Sequence, residues 1–119
     1  MSSSPKKQKP SILDGIQVLD FSQVLSGPYC TRMLADMGAE VIKIERPPTG
    51  DSVRNFPVIK EGLSGSFLQY NAGEKGLCID LKIPRSIEII KELIKFSDVV
   101  VENFNVGAMA RMGLGYKEF

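Results

Sequence analysis

The sequence predicts an α/β fold in which a parallel sheet carries helices on both faces. Short apolar, β-branched runs alternate with segments of helical periodicity along the chain. The segments between successive runs are long enough for the crossover that parallel strands need. The last run is apolar throughout its centre, which is typical of a strand covered on both faces.

The first strand–helix–strand unit is predicted at the start of the chain. Residues 16–21 form an apolar run, and Ser26 is a plausible N-cap for a helix over residues 29–37. Gly38 provides a helix stop, and residues 40–44 read as the second strand.

The rest of the chain repeats this alternation after an interruption. Residues 46–66 are punctuated by proline and glycine, and we expect an irregular loop that covers a site. Residues 77–81 are predicted as a strand and 84–96 as a helix with one apolar stripe. A strand over 98–102 and a short helix over 106–112 follow.

The 119 residues allow one small domain. We expect residues 1–10 to be a disordered tail, because they are rich in Ser, Lys and Pro. Residues 11–119 are predicted to be the N-terminal part of a larger domain, since the last four residues look like the opening turn of another helix. The net charge of +1 gives no indication of nucleic-acid or membrane binding.

Composition also excludes several kinds of catalytic site. The chain has no histidine, which rules out Ser-His-Asp and Cys-His catalysis within it. The acidic residues form no metal-ligand pattern, so no metal site is expected. Cys30 and Cys78 form no disulfide framework, are expected in the core, and favour a reducing, cytoplasmic compartment. Neither a G-x-G-x-x-G fingerprint nor a P-loop is present.

Several blocks of sequence, in order, resemble the opening of family III CoA-transferases, which include formyl-CoA:oxalate and carnitine CoA-transferases. The blocks are residues 13–21, 25–28, 34–47, 50–51, 78–82, 98–104, 107–108 and 112–116. The resemblance implies a Rossmann-like domain built by the N-terminal and C-terminal parts of a longer chain. It also implies an interlocked homodimer.

The implied reaction transfers coenzyme A from one carboxylic acid to another. In the family an aspartate attacks the acyl-CoA thioester, and an aspartyl-CoA thioester forms. That aspartate lies C-terminal to everything in this sequence, so no catalytic residue is assigned and the isolated chain is expected to be inactive. Asp20 and Asp80 are instead expected to cap neighbouring backbone. Acyl-CoA and a carboxylic acid acceptor are the implied partners, with coenzyme A as substrate and no tightly bound cofactor.

The resemblance also implies coenzyme-A-binding positions. These are Leu25, Ser26, Arg46, Ile79, Asp80, Leu81, Lys82, Asn103, Phe104, Asn105 and Arg111. Arginine suits bidentate phosphate contacts, and ligands of such sheets bind beyond the carboxyl ends of the strands.

Several of these positions also have a purely structural explanation. Arg46 could pair with Glu45 or Asp51, Ser26 could only cap its helix, and Asn103 could hold a turn. Lys82 and Arg111 could be solvated. Lys75, before the third strand, could also meet phosphate.

Two other functions remain open. One is α-methylacyl-CoA racemase, which shares the fold and exchanges a proton beside the thioester carbonyl. The other is an inactive fragment that binds coenzyme A. The long stretch over residues 51–75 and the sequence of residues 102–104 look more like transferases.

Overall fold

The computed structural model describes residues 10–119, so the expected tail lies almost wholly outside the described residues. A four-stranded parallel sheet forms the centre of the fold. In chain order the elements are β1 (Gln17–Asp20), α1 (Ser26–Asp36), β2 (Glu40–Glu45), a 3-10 helix (Ser52–Asn55), β3 (Ile59–Lys60), β4 (Leu63–Ser64), α2 (Gly65–Asn71), β5 (Lys75–Cys78), α3 (Pro84–Lys95), β6 (Val99–Val101), α4 (Ala108–Arg111) and a 3-10 helix (Tyr116–Glu118).

The strand order is β5-β2-β1-β6, and every neighbouring pair in the sheet is parallel. Strands β2 and β5 are added on one side of β1, and β6 is then added on its other side. The direction in which strands are added therefore reverses between β1 and β6. In open α/β sheets a crevice forms at such a reversal, beyond the carboxyl ends of the strands. The predicted parallel α/β fold is confirmed.

Alternate residues of the strands supply two separate cores, one on each face of the sheet. On the first face, Val18 and Val41 are buried with Ala39, and residues of α1 pack against them. On the second face, Leu19, Phe21 and Ile44 pack with Ile90 and Ile94 of α3 and with Met109 of α4. The apolar stripe predicted for the helix over 84–96 is therefore the buried side of α3.

Three local predictions were wrong. Helix α1 begins at Ser26 itself, and its N-cap is Leu25, with no side-chain capping bond. The third strand of the sheet lies at Lys75–Cys78 rather than at residues 77–81, because its pairing with β2 starts at Lys75. The last strand, β6, is not covered on both faces as its apolar run predicts: it is an edge strand, and its Val99 and Val100 are each 39% exposed.

The two cysteines also differ from expectation. Cys30 lies on α1 and Cys78 ends β5, and both are exposed and free rather than part of a core. On α1 the neighbouring Thr31 is buried instead, and on β5 the neighbouring Leu77 packs against the core.

The segment predicted to be irregular contains ordered structure. Strands β3 and β4 form a hairpin, and α2 follows directly. The two turn residues, Glu61 and Gly62, both have positive φ (52° and 78°), as a two-residue hairpin turn of type I′ requires. The Ser64 side chain accepts from Phe67 N at the start of α2, which gives this short helix an N-cap.

Candidate functional site

A cleft of about 730 Å³ lies at the carboxyl ends of the sheet strands. Strand ends, the turn before α3 and helix α4 form its walls. The lining residues are Phe21, Gln23, Ile44, Arg46, Ile79, Asp80, Leu81, Lys82, Pro84, Ile87, Phe104, Asn105, Ala108, Arg111 and Met112.

Three exposed cations face this cleft from three elements. Arg46 follows β2, Lys82 lies in the turn between β5 and α3, and Arg111 ends α4. Within residues 10–119 none of them has a carboxylate within 4.0 Å. Asp80 is the lining carboxylate, so three positive charges against one negative charge leave the cleft at +2. An unpaired cationic cleft is suited to phosphate groups.

The carboxylate in this cleft holds its own turn. Asp80 Oδ1 accepts from the backbone N–H of Lys82 at 3.0 Å. This is the backbone-capping role expected for a carboxylate just beyond a strand.

The alternative pairing of Arg46 is wrong. Glu45 accepts two bonds of 2.7 Å from Arg54, and Asp51 pairs with Lys43 at 3.1 Å. Burial raises the pKa of Glu45, but bonds from the Arg54 guanidinium and the Asp51 backbone outweigh it and hold that pKa below its usual value. Because both acids have other partners, the Arg46 guanidinium remains available to a ligand.

Part of the lining of the cleft is apolar. Phe21 and Ile44 come from strand ends, Ile87 from α3, and Phe104 from the loop after β6. These side chains belong to, or pack against, the core on that face. The cleft therefore joins an apolar wall to cationic groups, a combination typical of small-molecule sites.

A second cleft of about 490 Å³ adjoins the first at the reversal between β1 and β6. Gln23, Phe104 and Asn105 line both clefts. Leu25, Ser26 and Asn103 line only the second. All eleven residues assigned from the resemblance thus lie on these two adjoining clefts, and their contact with a ligand stays a prediction.

Two assigned or suspected residues have other structural roles. The side-chain amide of Asn103 bonds the backbone of Gln23 in both directions, at 2.9 and 2.8 Å, so it joins two loops. Lys75 begins β5, at the edge of the sheet opposite the cleft, and lies 3.2 Å from Glu40. Lys75 lines neither of the two clefts, and its contact with a phosphate stays a prediction.

Sequence reasoning missed a buried polar network beneath the loop after β1. Lys43 Nζ lies 3.1 Å from Asp51 Oδ2 and 3.9 Å from Asp20 Oδ2, and it donates to Ser22 O at 2.9 Å. All four residues are at most 2% exposed. Lys43 lies between the apolar residues of β2. A single charged residue within an apolar strand was the feature of the sequence that could have indicated this network.

A half-buried acid extends this network. Glu74 Oε1 lies 2.8 Å from Thr31 Oγ1, which also contacts Asp20 Oδ2 at 2.9 Å. Burial raises the pKa of Glu74 to about 7, and the charge of Asp20 adds to that effect, although the bond from Thr31 opposes it. Nothing in the sequence pattern distinguished this glutamate from a solvated one.

Within residues 10–119 no cluster of three or more potential metal-binding side chains occurs. No helix in that range is long and apolar enough to cross a membrane.

Comparison with known proteins identifies the family to which the sequence is similar. The model of CoA-transferase family III matches residues 13–119. Succinyl-CoA:glutarate CoA-transferase from Mus musculus is 44% identical over 107 residues, which cover 89% of this chain and 24% of the relative. Formyl-CoA:oxalate CoA-transferase from Rhodopseudomonas palustris is 43% identical over 110 residues, covering 89% of this chain and 25% of the relative.

Solved structures share the fold. A crystal structure of Rv3272 from Mycobacterium tuberculosis has a TM-score of 0.86 and 37% identity, covering 93% of this chain and 31% of that one. A CAIB/BAIF family protein from Brucella suis has a TM-score of 0.85 and 32% identity, covering 92% of this chain and 30% of that one. The chain spans about a quarter of the length of the curated relatives it matches, and it is a partial domain.

Proposed function

Since the chain belongs to CoA-transferase family III, we propose that it is the coenzyme-A-binding part of an enzyme that moves coenzyme A between carboxylic acids. The observation that carries this proposal is the cleft at the strand ends, which Arg46, Lys82 and Arg111 line together with apolar side chains. Family membership supports CoA transfer in general. The cleft supplies a physical reason why coenzyme A would bind here.

The chemistry of coenzyme A matches the cleft in two ways. Its diphosphate and 3′-phosphate carry several negative charges, which three unpaired cations attract. Its adenine ring and pantetheine arm are partly apolar, and Phe104 and Ile87 offer apolar surface in the same cleft. A site that held only inorganic phosphate would not need that apolar wall.

The transfer itself would use an aspartate outside residues 1–119. Its carboxylate attacks the thioester carbonyl and expels the CoA thiolate, leaving a mixed anhydride. The thiolate then attacks the aspartyl carbonyl, which releases the donor acid and forms an aspartyl-CoA thioester. An acceptor carboxylate reverses these steps. Asp80 is not this nucleophile in our proposal, because its Oδ1 caps the turn at Lys82.

The remaining parts of the proposal concern the whole protein. Acyl-CoA and a carboxylic acid acceptor are its substrates, coenzyme A is not a tightly bound cofactor, and the complete protein is an interlocked homodimer. Two free, exposed cysteines agree with a reducing, cytoplasmic location. The relatives compared above carry the names of transferases, which favours transfer over the racemase alternative.

Calorimetric titration of the purified protein with coenzyme A tests the proposal. We expect Arg46→Ala to raise the Kd by roughly 10- to 150-fold, because one charge-assisted contact is worth roughly 1.5–3 kcal/mol. Lys95→Ala is the matched control, since it removes one positive charge at the end of α3 farthest from the cleft. Equal Kd values for the Arg46 variant and the parent, or no binding by the parent, would contradict the proposal.

A second assay tests the missing nucleophile. The 119-residue chain is expected to show no exchange of coenzyme A between two acids. Turnover by this chain alone would refute the assignment of the reactive aspartate to a later part of the protein.

A further inference from the structure

Three consecutive backbone N–H groups in the loop after β1 each donate to a side-chain oxygen. The bonds run from Ser22 N to Asp20 Oδ1 (2.8 Å), from Gln23 N to Asn103 Oδ1 (2.9 Å) and from Val24 N to Asp51 Oδ1 (3.0 Å). The acceptors come from β1, from the loop after β6 and from the loop after β2. We call Asp20, Asp51 and Asn103 the loop clamp.

The loop has a backbone shape that its own sequence does not favour. Val24 has a φ of 70°, a left-handed conformation that a β-branched residue seldom adopts. Val24 N contacts both carboxylate oxygens of Asp51, at 3.0 and 3.1 Å. Because the residue itself disfavours this conformation, the surrounding acceptors must impose it.

The clamp residues are themselves fixed. Asp51 also accepts from Val53 N at 3.0 Å and pairs with the buried Lys43. Asp20 accepts from the hydroxyls of Ser22 and Thr31. Asn103 closes its two-bond contact by donating to Gln23 O at 2.8 Å. The loop is therefore held from three sides by side chains that have little freedom to move.

The fixed loop leads directly into the second cleft. Leu25 and Ser26 follow Val24, line that cleft and begin α1. A shift of Val24 would change the direction of the backbone groups of Leu25 and Ser26. The bonds to the loop clamp prevent such a shift. A preformed loop spares the ligand the entropic cost of ordering it.

We propose that the loop clamp is a set of positioning residues that holds Leu25 and Ser26 ready to receive acyl-CoA. Asn103 then acts through the backbone of Gln23 and not by touching the ligand itself. This inference rests on the proposed function, because it takes coenzyme A as the ligand.

The test compares Asn103→Ala and Asn103→Asp with the parent protein. Asn103 is exposed, so neither change removes a buried group. Coenzyme A affinity is measured by calorimetry, amide exchange of Gln23 by NMR, and stability by thermal unfolding. Asn55→Ala is the control, since Asn55 is also an exposed asparagine, at the end of a 3-10 helix, and lines neither cleft.

For Asn103→Ala we expect exchange at Gln23 to accelerate about tenfold and the Kd to rise about fivefold, the effect of one net hydrogen bond, with the unfolding midpoint nearly unchanged. Asn103→Asp keeps the acceptor for Gln23 N and loses the donor to Gln23 O. Its exchange rate at Gln23 should therefore fall between those of the parent and of Asn103→Ala. Asn55→Ala should match the parent in all three measurements.

Different failures have different meanings. If Asn103→Ala weakens coenzyme A binding while exchange at Gln23 stays unchanged, Asn103 contacts the ligand directly and the positioning role is overturned. If exchange accelerates but the Kd stays within about twofold of the parent, a change below the worth of one hydrogen bond, the loop does not serve the ligand. If the parent binds no coenzyme A, the proposed function itself fails, and this inference fails with it.

Discussion

Lys43 and Asp51 form an ion pair that is closed to solvent, with 3.1 Å between Nζ and Oδ2 and side-chain exposures of 2% and 0%. The pair lies directly beneath the loop after β1, because Lys43 also donates to Ser22 O and Asp51 accepts from Val24 N. One buried pair thereby connects β2 with two of the loops that border the candidate site.

Replacing Lys43 by Met tests the structural weight of this pair. The change leaves the buried carboxylates of Asp51 and Asp20 without a cation, and losing one partner of a buried pair costs about 3–5 kcal/mol. We expect that loss in the free energy of urea unfolding at neutral pH. Lys95→Met, at an exposed pair with Glu92, is the control and should change stability by less than about 0.5 kcal/mol. A loss below about 1 kcal/mol for Lys43→Met would contradict the buried-pair assignment.

Glu74 predicts a pH dependence of stability. Thr31 has one hydroxyl hydrogen but faces both Asp20 and Glu74, so a protonated Glu74 can donate to Thr31 while Thr31 donates to Asp20. Burial raises the pKa of Glu74 from 4.5 to about 7. The folded state therefore holds a proton that the unfolded state releases, and the contribution of this group falls as pH rises from about 4.5 to about 7.

The matching variant is Glu74→Gln, which cannot ionise. Relative to that of the parent, its free energy of unfolding should increase as the pH is raised across that window, so the variant gains stability over the parent, and the difference should level off above it. Denaturation curves at several pH values measure this directly. A difference that is independent of pH would show that Glu74 ionises normally in the folded protein.

A side chain at position 27 is expected to disturb the packing at the start of α1. A Cβ at this position would collide with Cβ and Oγ of Ser22, so the helix lies directly on the loop. Gly27→Ala should destabilise the fold by about 1–3 kcal/mol through overpacking. Gly76→Ala is the control, because a Cβ there meets nothing within 4 Å. Equal stabilities of the two variants would contradict this close approach.

Arg54 fixes the segment after β2 onto the strand end. It makes two bonds to Glu45 and stacks 3.6 Å above the ring of Phe67 in α2. Arg54→Lys keeps the charge but loses the paired bonds and the planar stacking. We expect a loss of roughly 1 kcal/mol and a rise in the pKa of Glu45, measured by NMR titration of its carboxyl group. An unchanged pKa would mean that the two bonds to Glu45 are not formed in solution.

Sequence patterns were sufficient where one feature dominated a segment. The apolar runs at β1, β2 and β6 and the stripe of α3 marked those elements, because burial against the sheet decides them. The assigned ligand positions also came together on two adjoining clefts. These positions were assigned from the resemblance, and most of them follow strands; parallel strands place the loops that follow them at one edge of the sheet, which accounts for their proximity.

Tertiary contacts decided the rest. Strand β5 begins at Lys75-Gly76, which have low strand propensity, and it is ordered by pairing with β2. Helix α2 has seven residues, too few for a clear helical period, and it follows glycines that indicated a loop. The loop clamp joins residues up to 80 positions apart, which no local pattern reveals.

The most direct test of the account maps coenzyme A onto the backbone by ¹H–¹⁵N NMR titration of the protein. We predict shifts at Arg46, at residues 79–82, at residues 103–105 and at Arg111, all of which line the two clefts. The amides of Asp14, Gly38 and Lys75, at the opposite edge of the sheet, should not move. Shifts confined to that opposite edge, or no shifts at saturating coenzyme A, would contradict the central claim that the strand ends form its binding site.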